Sequence, residues 1–280
     1  MNNTIYPCLA IRGKMAEAAD YYVDVFGEGS ILRSNAFVIQ LQLKGQKFML
    51  LNEGPASPPN PAISFMVLCH EVEETEGYWH KLIEGGQVLM PLDTYSWSSK
   101  YGWLQDRYVV SWQLITGTDH GTLQKFCPSL MFVGPNAGKA AAAIDFYTHV
   151  FPDSNIRSKL TYEEGDGDRT DFIKHAHFTI DNFVMMAMDS TGPHQFNFAD
   201  GISLVVECNT QEEIDRYWER LTADGGQEVA CGWLTDKFGV SWQIVPKDIG
   251  KLVTDPTRGD RVLQAVMRMK KLIIAELENA

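Results

Sequence analysis

The chain has 280 residues, more than one hydrophobic core usually serves, so length alone favours two domains. With 45% hydrophobic and 21% charged residues it can fill those cores, which excludes a disordered or collagen-like chain. A formal net charge of −12 repels phosphate backbones and anionic lipid, so neither nucleic acid nor a membrane surface is an expected partner.

The opening residues Met1-Asn2-Asn3-Thr4-Ile5-Tyr6-Pro7 lack the basic and apolar regions of a signal peptide. No apolar run approaches the roughly 18 residues a membrane helix needs, and a cytoplasmic protein is expected. Cys8, Cys69, Cys127, Cys208 and Cys231 form no CxxC pair and read as reduced, mostly buried thiols.

In chain order, periodicity predicts a strand over Tyr6 to Ile11 and a helix over about Ala16 to Phe26. Strands follow over Ala36 to Leu43, Lys47 to Leu51 and Ile63 to Leu68, then a helix over Val72 to Glu84 and a strand over Ser111 to Ile115. The pattern then repeats. Tyr6-Pro7-Cys8-Leu9 is echoed by Cys127-Pro128-Ser129-Leu130, and the helix face Ala18, Tyr21, Tyr22, Val25, Phe26 by Ala143, Phe146, Tyr147, Val150, Phe151. Gly85-Gly86-Gln87 returns as Gly225-Gly226-Gln227. The strongest match sets Gly102-Trp103-Leu104-Gln105-Asp106-Arg107-Tyr108-Val109-Val110-Ser111-Trp112-Gln113 against Gly232-Trp233-Leu234-Thr235-Asp236-Lys237-Phe238-Gly239-Val240-Ser241-Trp242-Gln243.

Two homologous halves are therefore joined near Thr116 to Lys125, each made of two strand-helix-strands units. The expected boundaries are 1–121, 122–250 and a tail, 251–280. The last helix of the second half opens on the capping box Thr210-Gln211-Glu212-Glu213 and closes at Gly225-Gly226. The halves differ by an acidic insertion around Glu163-Glu164-Gly165-Asp166-Gly167-Asp168, read as a solvated loop because it lacks the ligand spacing of a calcium loop. They differ again in the segment Val88 to Tyr101, which is shorter in the second half. In the tail, Leu263, Val266, Met267, Ile273, Ile274 and Leu277 recur at spacings of three and four, with Lys270 interrupting. They predict one helix from Asp260 to Leu277, docked on one of the halves or on a second subunit, which leaves a homodimer open.

Pro-x-Leu on the first strand, the Ala-x-x-Phe/Tyr-Tyr-x-x-Val-Phe helix and Gly-x-x-x-Asp-x-x-x-x-Ser-Trp-Gln together resemble one family. It is the PhnB-like, or 3-demethylubiquinone-9 3-methyltransferase-like, branch of the glyoxalase/bleomycin resistance/dioxygenase superfamily. The resemblance spans almost the whole chain. It implies an α+β fold of tandem glyoxalase-like repeats, with four βαβββ modules forming two curled-sheet units, helices outside and a C-terminal helix. Glyoxalase-type relatives hold a divalent metal on His or Glu at four strand positions. Those positions carry Tyr6, an apolar residue within Phe48 to Leu51, Ser64 or its neighbour, and Gln113 in the first half. The second half has Cys127, the apolar run Phe183 to Met188, Ser203 and Gln243. A hard cation is poorly served by amides, a phenol and apolar groups, so neither a metal nor another cofactor is expected. No Gly-x-Gly-x-Gly follows any strand, so methyl transfer from an adenosylmethionine-type donor lacks support in the residues.

On the last strand of each half, bulky Trp112 and Trp242 should face the helices, which turns Ser111, Gln113, Ser241 and Gln243 to the cleft. His175 and His177 form a His-x-His pair on one strand face, with His177 a cleft-facing polar group rather than a metal ligand. His70, His80, His120, His149 and His194 show no triad spacing and read as surface or satisfied side chains. Asn52 and Asp189 end equivalent strands at the cleft rim, while Trp97, Trp103 and Trp233 lie in loops at the sheet ends as candidate aromatic walls. The expected function is small-molecule binding, with the site in the first half's cleft: Trp97 and Trp103 as walls, Gln40 and Gln113 as floor, Asn52 at the rim. A metal-dependent lyase, isomerase or dioxygenase on an oxygen-rich substrate and a drug- or metabolite-sequestering protein are the competing readings.

Overall fold

The computed structural model describes residues 4–117 and 121–280; His120 lies outside the described residues. Two compact units are present, Pro7–Ile202, and Ser203–Ala280 together with Thr4, Ile5 and Tyr6.

The first unit holds three βαβββ modules, except that the first two residues of the opening strand, Ile5 and Tyr6, belong to the second unit. The first comprises β1 (Ile5–Ala10), α1 (Met15–Phe26), β2 (Gly29–Ser34), β3 (Val38–Leu43) and β4 (Gln46–Leu51). Helix α1 forms where Met15, Ala18, Ala19, Tyr22, Val25 and Phe26 recur at helical spacing and are buried, and it stops at Gly27, whose φ of 78° suits glycine. Strand β1 runs parallel to β4, and β4, β3 and β2 continue antiparallel. The second module comprises β5 (Ile63–Cys69), α2 (Val72–Leu82), β6 (Gln87–Tyr95), β7 (Ser98–Gln105) and β8 (Ser111–Thr116). The third comprises β9 (Phe126–Phe132), α3 (Ala140–Val150), β10 (Asn155–Thr161), β11 (Ile173–Ile180) and β12 (Phe183–Asp189).

Modules two and three build one eight-stranded sheet in the order β10-β11-β12-β9-β5-β8-β7-β6. Its seam is the antiparallel pair β5–β9, with Ser64 opposite Ser129 and Met66 opposite Cys127. Hydrogen bonding thus crosses the repeat boundary, joining the last module of one half to the first module of the next. The cause is burial: every residue of β5 and of β9 is buried, so neither strand can leave a row of backbone N–H and C=O groups unpaired.

The second unit carries the fourth module, β13 (Ile202–Cys208), α4 (Gln211–Thr222), β14 (Gln227–Glu228), β15 (Trp233–Thr235) and β16 (Ser241–Pro246). Thr210 Oγ1 accepts from Glu213 N at 3.2 Å as the capping box requires, while the Glu213 carboxylate takes Asn209 N at 2.6 Å instead of the cap's own amide. Where β6 and β7 are long, β14 and β15 are stubs, which is the structural form of the shorter second-half segment.

The tail folds as α5 (Ile249–Val253), α6 (Gly259–Arg268) and α7 (Ile274–Glu278). The single helix expected from Asp260 to Leu277 is broken between α6 and α7. The carbonyls of Met269 and Lys270 accept from the amides of Cys231 and Gly232, each at 2.7 Å, and the Gln211 side chain bonds Leu272 O and Ile274 N. Those fixed partners replace a helical turn. Val262, Leu272 and Leu277 are buried, whereas Met267 remains 66% exposed. Among the described residues no helix is long and apolar enough to cross a membrane.

Candidate functional site

Strand pairing assigns the faces of the eight-stranded sheet. Phe65, Trp112 and Phe126 lie on the helix side, where Trp112 meets Phe26 of α1 at 5.1 Å between ring centroids. Alternation then puts Ser64, Met66 and Leu68 of β5 and Ser111, Gln113 and Ile115 of β8 on the inner face, with Tyr101 and Trp103 of β7 beside them. Across the seam the same face carries Cys127 and Ser129 of β9, Val184 and Met186 of β12, and His175 and His177 of β11.

The floor of this face is apolar and buried: Met66, Leu68, Tyr101, Cys127, Val184 and Met186 form one cluster, with Met90, Tyr95, Trp103 and Ile115 packed around it. Burial pushes the thiol of Cys127 and the phenol of Tyr101 well above their ordinary values, so both are neutral at pH 7. Burial also lowers the pKa of His175. At one edge Trp97 is 55% exposed, stacked on Tyr95 at 4.9 Å and edge-on to Tyr101 at 5.9 Å.

Trp103, Ser111, Gln113 and His177 therefore share one sheet, and Trp97 lies in the turn between its strands β6 and β7, at the sheet end as expected. Trp103 is on β7 and Trp233 on β15, not in loops, because the glycines that precede them, Gly102 and Gly232, are accommodated within or beside the strands. Gln40 is corrected more sharply. It sits on β3, beside Met49 of β4, in a different sheet from Gln113, so the two do not floor one cleft. The seam β5–β9 explains this, since the partner of Gln113's module is the third module, which brings His177 to the face in place of Gln40. Gln243 and Trp233 belong to the second unit, paired with each other across β15 and β16.

Gln113 is locked. Its Nε2 donates to Ser64 Oγ at 2.7 Å and its Oε1 accepts from Tyr101 OH at 2.7 Å, while Trp103 Nε1 donates to Ser111 Oγ at 2.7 Å. Asn52 and Asp189 hold backbone. Asn52 Oδ1 accepts from Gly13 N at 2.8 Å, ahead of α1, and Asp189 accepts from Gly138 N, Ala140 N and Ile173 N at 2.7 to 3.1 Å, at the start of α3. Burial raises the Asp189 pKa against the pull of those amides. An open depression of about 460 Å³ beside Asn52 is lined by Arg12, Gly13, Glu53 and Gly54, away from the inner face just described.

The Asp-x-x-x-x-Ser-Trp-Gln motif divides its work between the two faces. Asp106 Oδ1 accepts from Tyr108 N and Val110 N at 2.8 and 3.0 Å; Oδ2 accepts from Trp112 Nε1 and Tyr22 OH, both at 2.8 Å. Asp236 repeats the set with Phe238 N, Val240 N and Trp242 Nε1. Asp and Trp thus fix the turn and the core, and only Ser and Gln reach the inner face. The lining residues that sequence reasoning missed are Tyr101, Met66 and Met186; their alternation on β7, β5 and β12 was the available signal.

The residues do not fit a divalent metal. At the positions that glyoxalase-type relatives use, the first unit offers a hydroxyl, a locked amide, a neutral thiol and thioethers, and among the described residues no group of three His, Cys, Asp or Glu side chains gathers.

This architecture is that of a glyoxalase-like α+β repeat protein. Glyoxalase I from Zea mays has the same fold at a TM-score of 0.60, with 14% identity over 86% of this chain and 91% of that one. The family described as 3-demethylubiquinone-9 3-methyltransferase matches residues 3–115 and again 124–245, and the chain belongs to it. A PhnB protein from Bacillus cereus is 35% identical, covering 39% of this chain and 96% of its own length, at a TM-score of 0.37. No curated protein matches the chain.

Proposed function

We propose that the protein binds a small, neutral, largely apolar molecule on the inner face of the β5–β12 sheet, without a resident metal or other cofactor. The reading rests on one observation: a buried Met- and aromatic-rich floor whose polar groups, Gln113, Ser64, Ser111 and Tyr101, already satisfy one another, bordered by the exposed ring of Trp97. Such a face offers dispersion contact and aromatic stacking and little hydrogen bonding, which suits a flat apolar ligand. Trp97 and Trp103 wall it, and Ser111, Gln113 and His177 line it. Asn52, Asp189 and Gln40 serve the scaffold or the neighbouring sheet.

The name of the family suggests methyl transfer. Among the described residues the inner face offers no glycine-rich loop at a strand end and no carboxylate placed against Gln113, so binding without an assigned reaction is the function the geometry supports best. The test is equilibrium binding of 2-naphthol followed by tryptophan emission. Binding that weakens about tenfold in Trp97→Ala, at unchanged stability, supports the reading; equal affinity in the variant contradicts it.

A further inference from the structure

The third module carries the pair His175-x-His177 on β11, and the register around it gathers soft donors. His177 stands opposite Met186 on β12, and the same antiparallel ladder, continued past Ala176 and Ala187, sets His175 beside Met188. Met188 in turn is the partner of Met131 on β9. Alternation turns all three side chains to the inner face that carries Cys127 and Met186, so His175, Met188 and Met131 form one row across three adjacent strands. The row lies apart from Ser64, Cys127 and Gln113, the positions tested above for a divalent metal.

The donor set decides which ion the row suits. Thioethers and a neutral imidazole serve soft monovalent ions such as Cu(I) and Ag(I), whereas hard cations need carboxylate or carbonyl oxygen. Burial lowers the pKa of His175 and keeps its ring neutral at pH 7, with a lone pair to give, and among the described residues no hydrogen-bond partner occupies that ring. Strands β9 to β12 hold a single carboxylate, Asp189, whose oxygens accept the backbone amides of Gly138, Ala140 and Ile173. Reach is sufficient. Neighbouring strands are about 4.8 Å apart, which puts the Cα atoms of His175 and Met131 about 10 Å apart with Met188 midway. An ion above Met188 is then about 5 Å to the side of each, within the span of an imidazole or thioether arm plus a metal–donor bond of about 2.0–2.3 Å. The row is also accessible: Met188 and His175 are only partly buried, and Leu160, beside His175 on the edge strand β10, is 58% exposed. The net charge of −12 draws cations.

We infer that the row His175, Met188 and Met131 binds one soft monovalent metal ion of the Cu(I) class, taken up as a ligand and not as a resident cofactor, through an imidazole nitrogen and two thioether sulfurs. The inference adds an ion at the end of the sheet away from Trp97 and does not rest on the apolar ligand. It is tested with Ag(I), a soft ion of the same charge that does not oxidise in air, on the full chain carrying Cys231→Ser. That exchange removes the half-buried thiol, whose Sγ lies 3.6 Å from Met267 Sδ; the other four cysteines are buried. With ¹³C-methyl methionine at pH 7, Ag(I) should shift Met131 and Met188 first, saturate at one ion per chain and leave Met15 and Met49 unmoved. Zn(II) at the same concentration should move neither Met131 nor Met188. His175→Ala and, at nearly constant volume, Met188→Leu should each weaken silver binding about tenfold or more, read at Met131. Shifts led by Met66, which stands opposite Cys127, would place the ion on that thiol and overturn the inference. No shift at Met131 and Met188, equal shifts with Zn(II), or unchanged affinity in both variants would overturn it too. Silver at the row without any binding of 2-naphthol would support it and count against the apolar ligand alone.

Discussion

Replacing Asp106 by alanine removes one carboxylate and strands four buried donors: Tyr108 N, Val110 N, Trp112 Nε1 and Tyr22 OH. At about 1.5–2 kcal/mol each, their loss amounts to about 6–8 kcal/mol. Working against this, burial outweighs the pull of those same bonds and lifts the Asp106 carboxyl from 3.8 to about 6, a net cost of about 3 kcal/mol for the ionised group at pH 7 that the variant escapes. The hydrogen bonds win, and the net loss is about 3–5 kcal/mol. The same linkage fixes the pH dependence. Between 3.8 and 6 the native chain holds a proton that the unfolded chain has released, so wild-type stability falls as pH rises through that window. The gap between wild type and variant should therefore be wider at pH 5 than at pH 7. Urea denaturation followed by tryptophan emission at both pH values measures it; a loss below about 1 kcal/mol, or a gap that widens with rising pH, would refute the reasoning.

Two further predictions concern the tail and the metal. Deleting residues 258–280 removes the buried Val262, Leu272 and Leu277, each contributing about 1.5–3 kcal/mol, and the Gln211 clamp; the melting temperature should fall by more than about 5 °C, and an unchanged value contradicts docking. Protein purified without chelator should hold well under one divalent ion per chain by elemental analysis, and near-stoichiometric zinc, nickel, manganese or iron would reverse the reading of Gln113 and Cys127.

The repeat, the helices and the two Ser-Trp-Gln strands were legible because each leaves a local periodic trace. Module pairing left none: β5 and β9 are buried throughout, each with a single serine among apolar residues, and nothing in them names the partner, so the displacement of Gln40 by His177 emerged only from the register. Strand β2, mostly exposed Gly29–Ser34, has no alternation to detect. The tail break was hidden because Met269 to Ile273 contains neither glycine nor proline; its cause lies in the distant amides of Cys231 and Gly232. Asp189 and Asn52 looked like rim groups for the same reason that they are anchors: a polar side chain at a strand end serves a ligand or the adjacent backbone equally well, and only distance distinguishes them.

The central claim is the apolar inner face of the β5–β12 sheet, and methionine labels lie directly on it. With ¹³C-methyl methionine in the full chain, titration with 2-naphthol should shift Met66, Met90 and Met186 on that face together and leave Met49, on β4 of the neighbouring sheet, and Met15, on α1, unmoved. Shifts at Met49 without Met66 and Met186, or no shift at any methionine up to saturating probe, would contradict it.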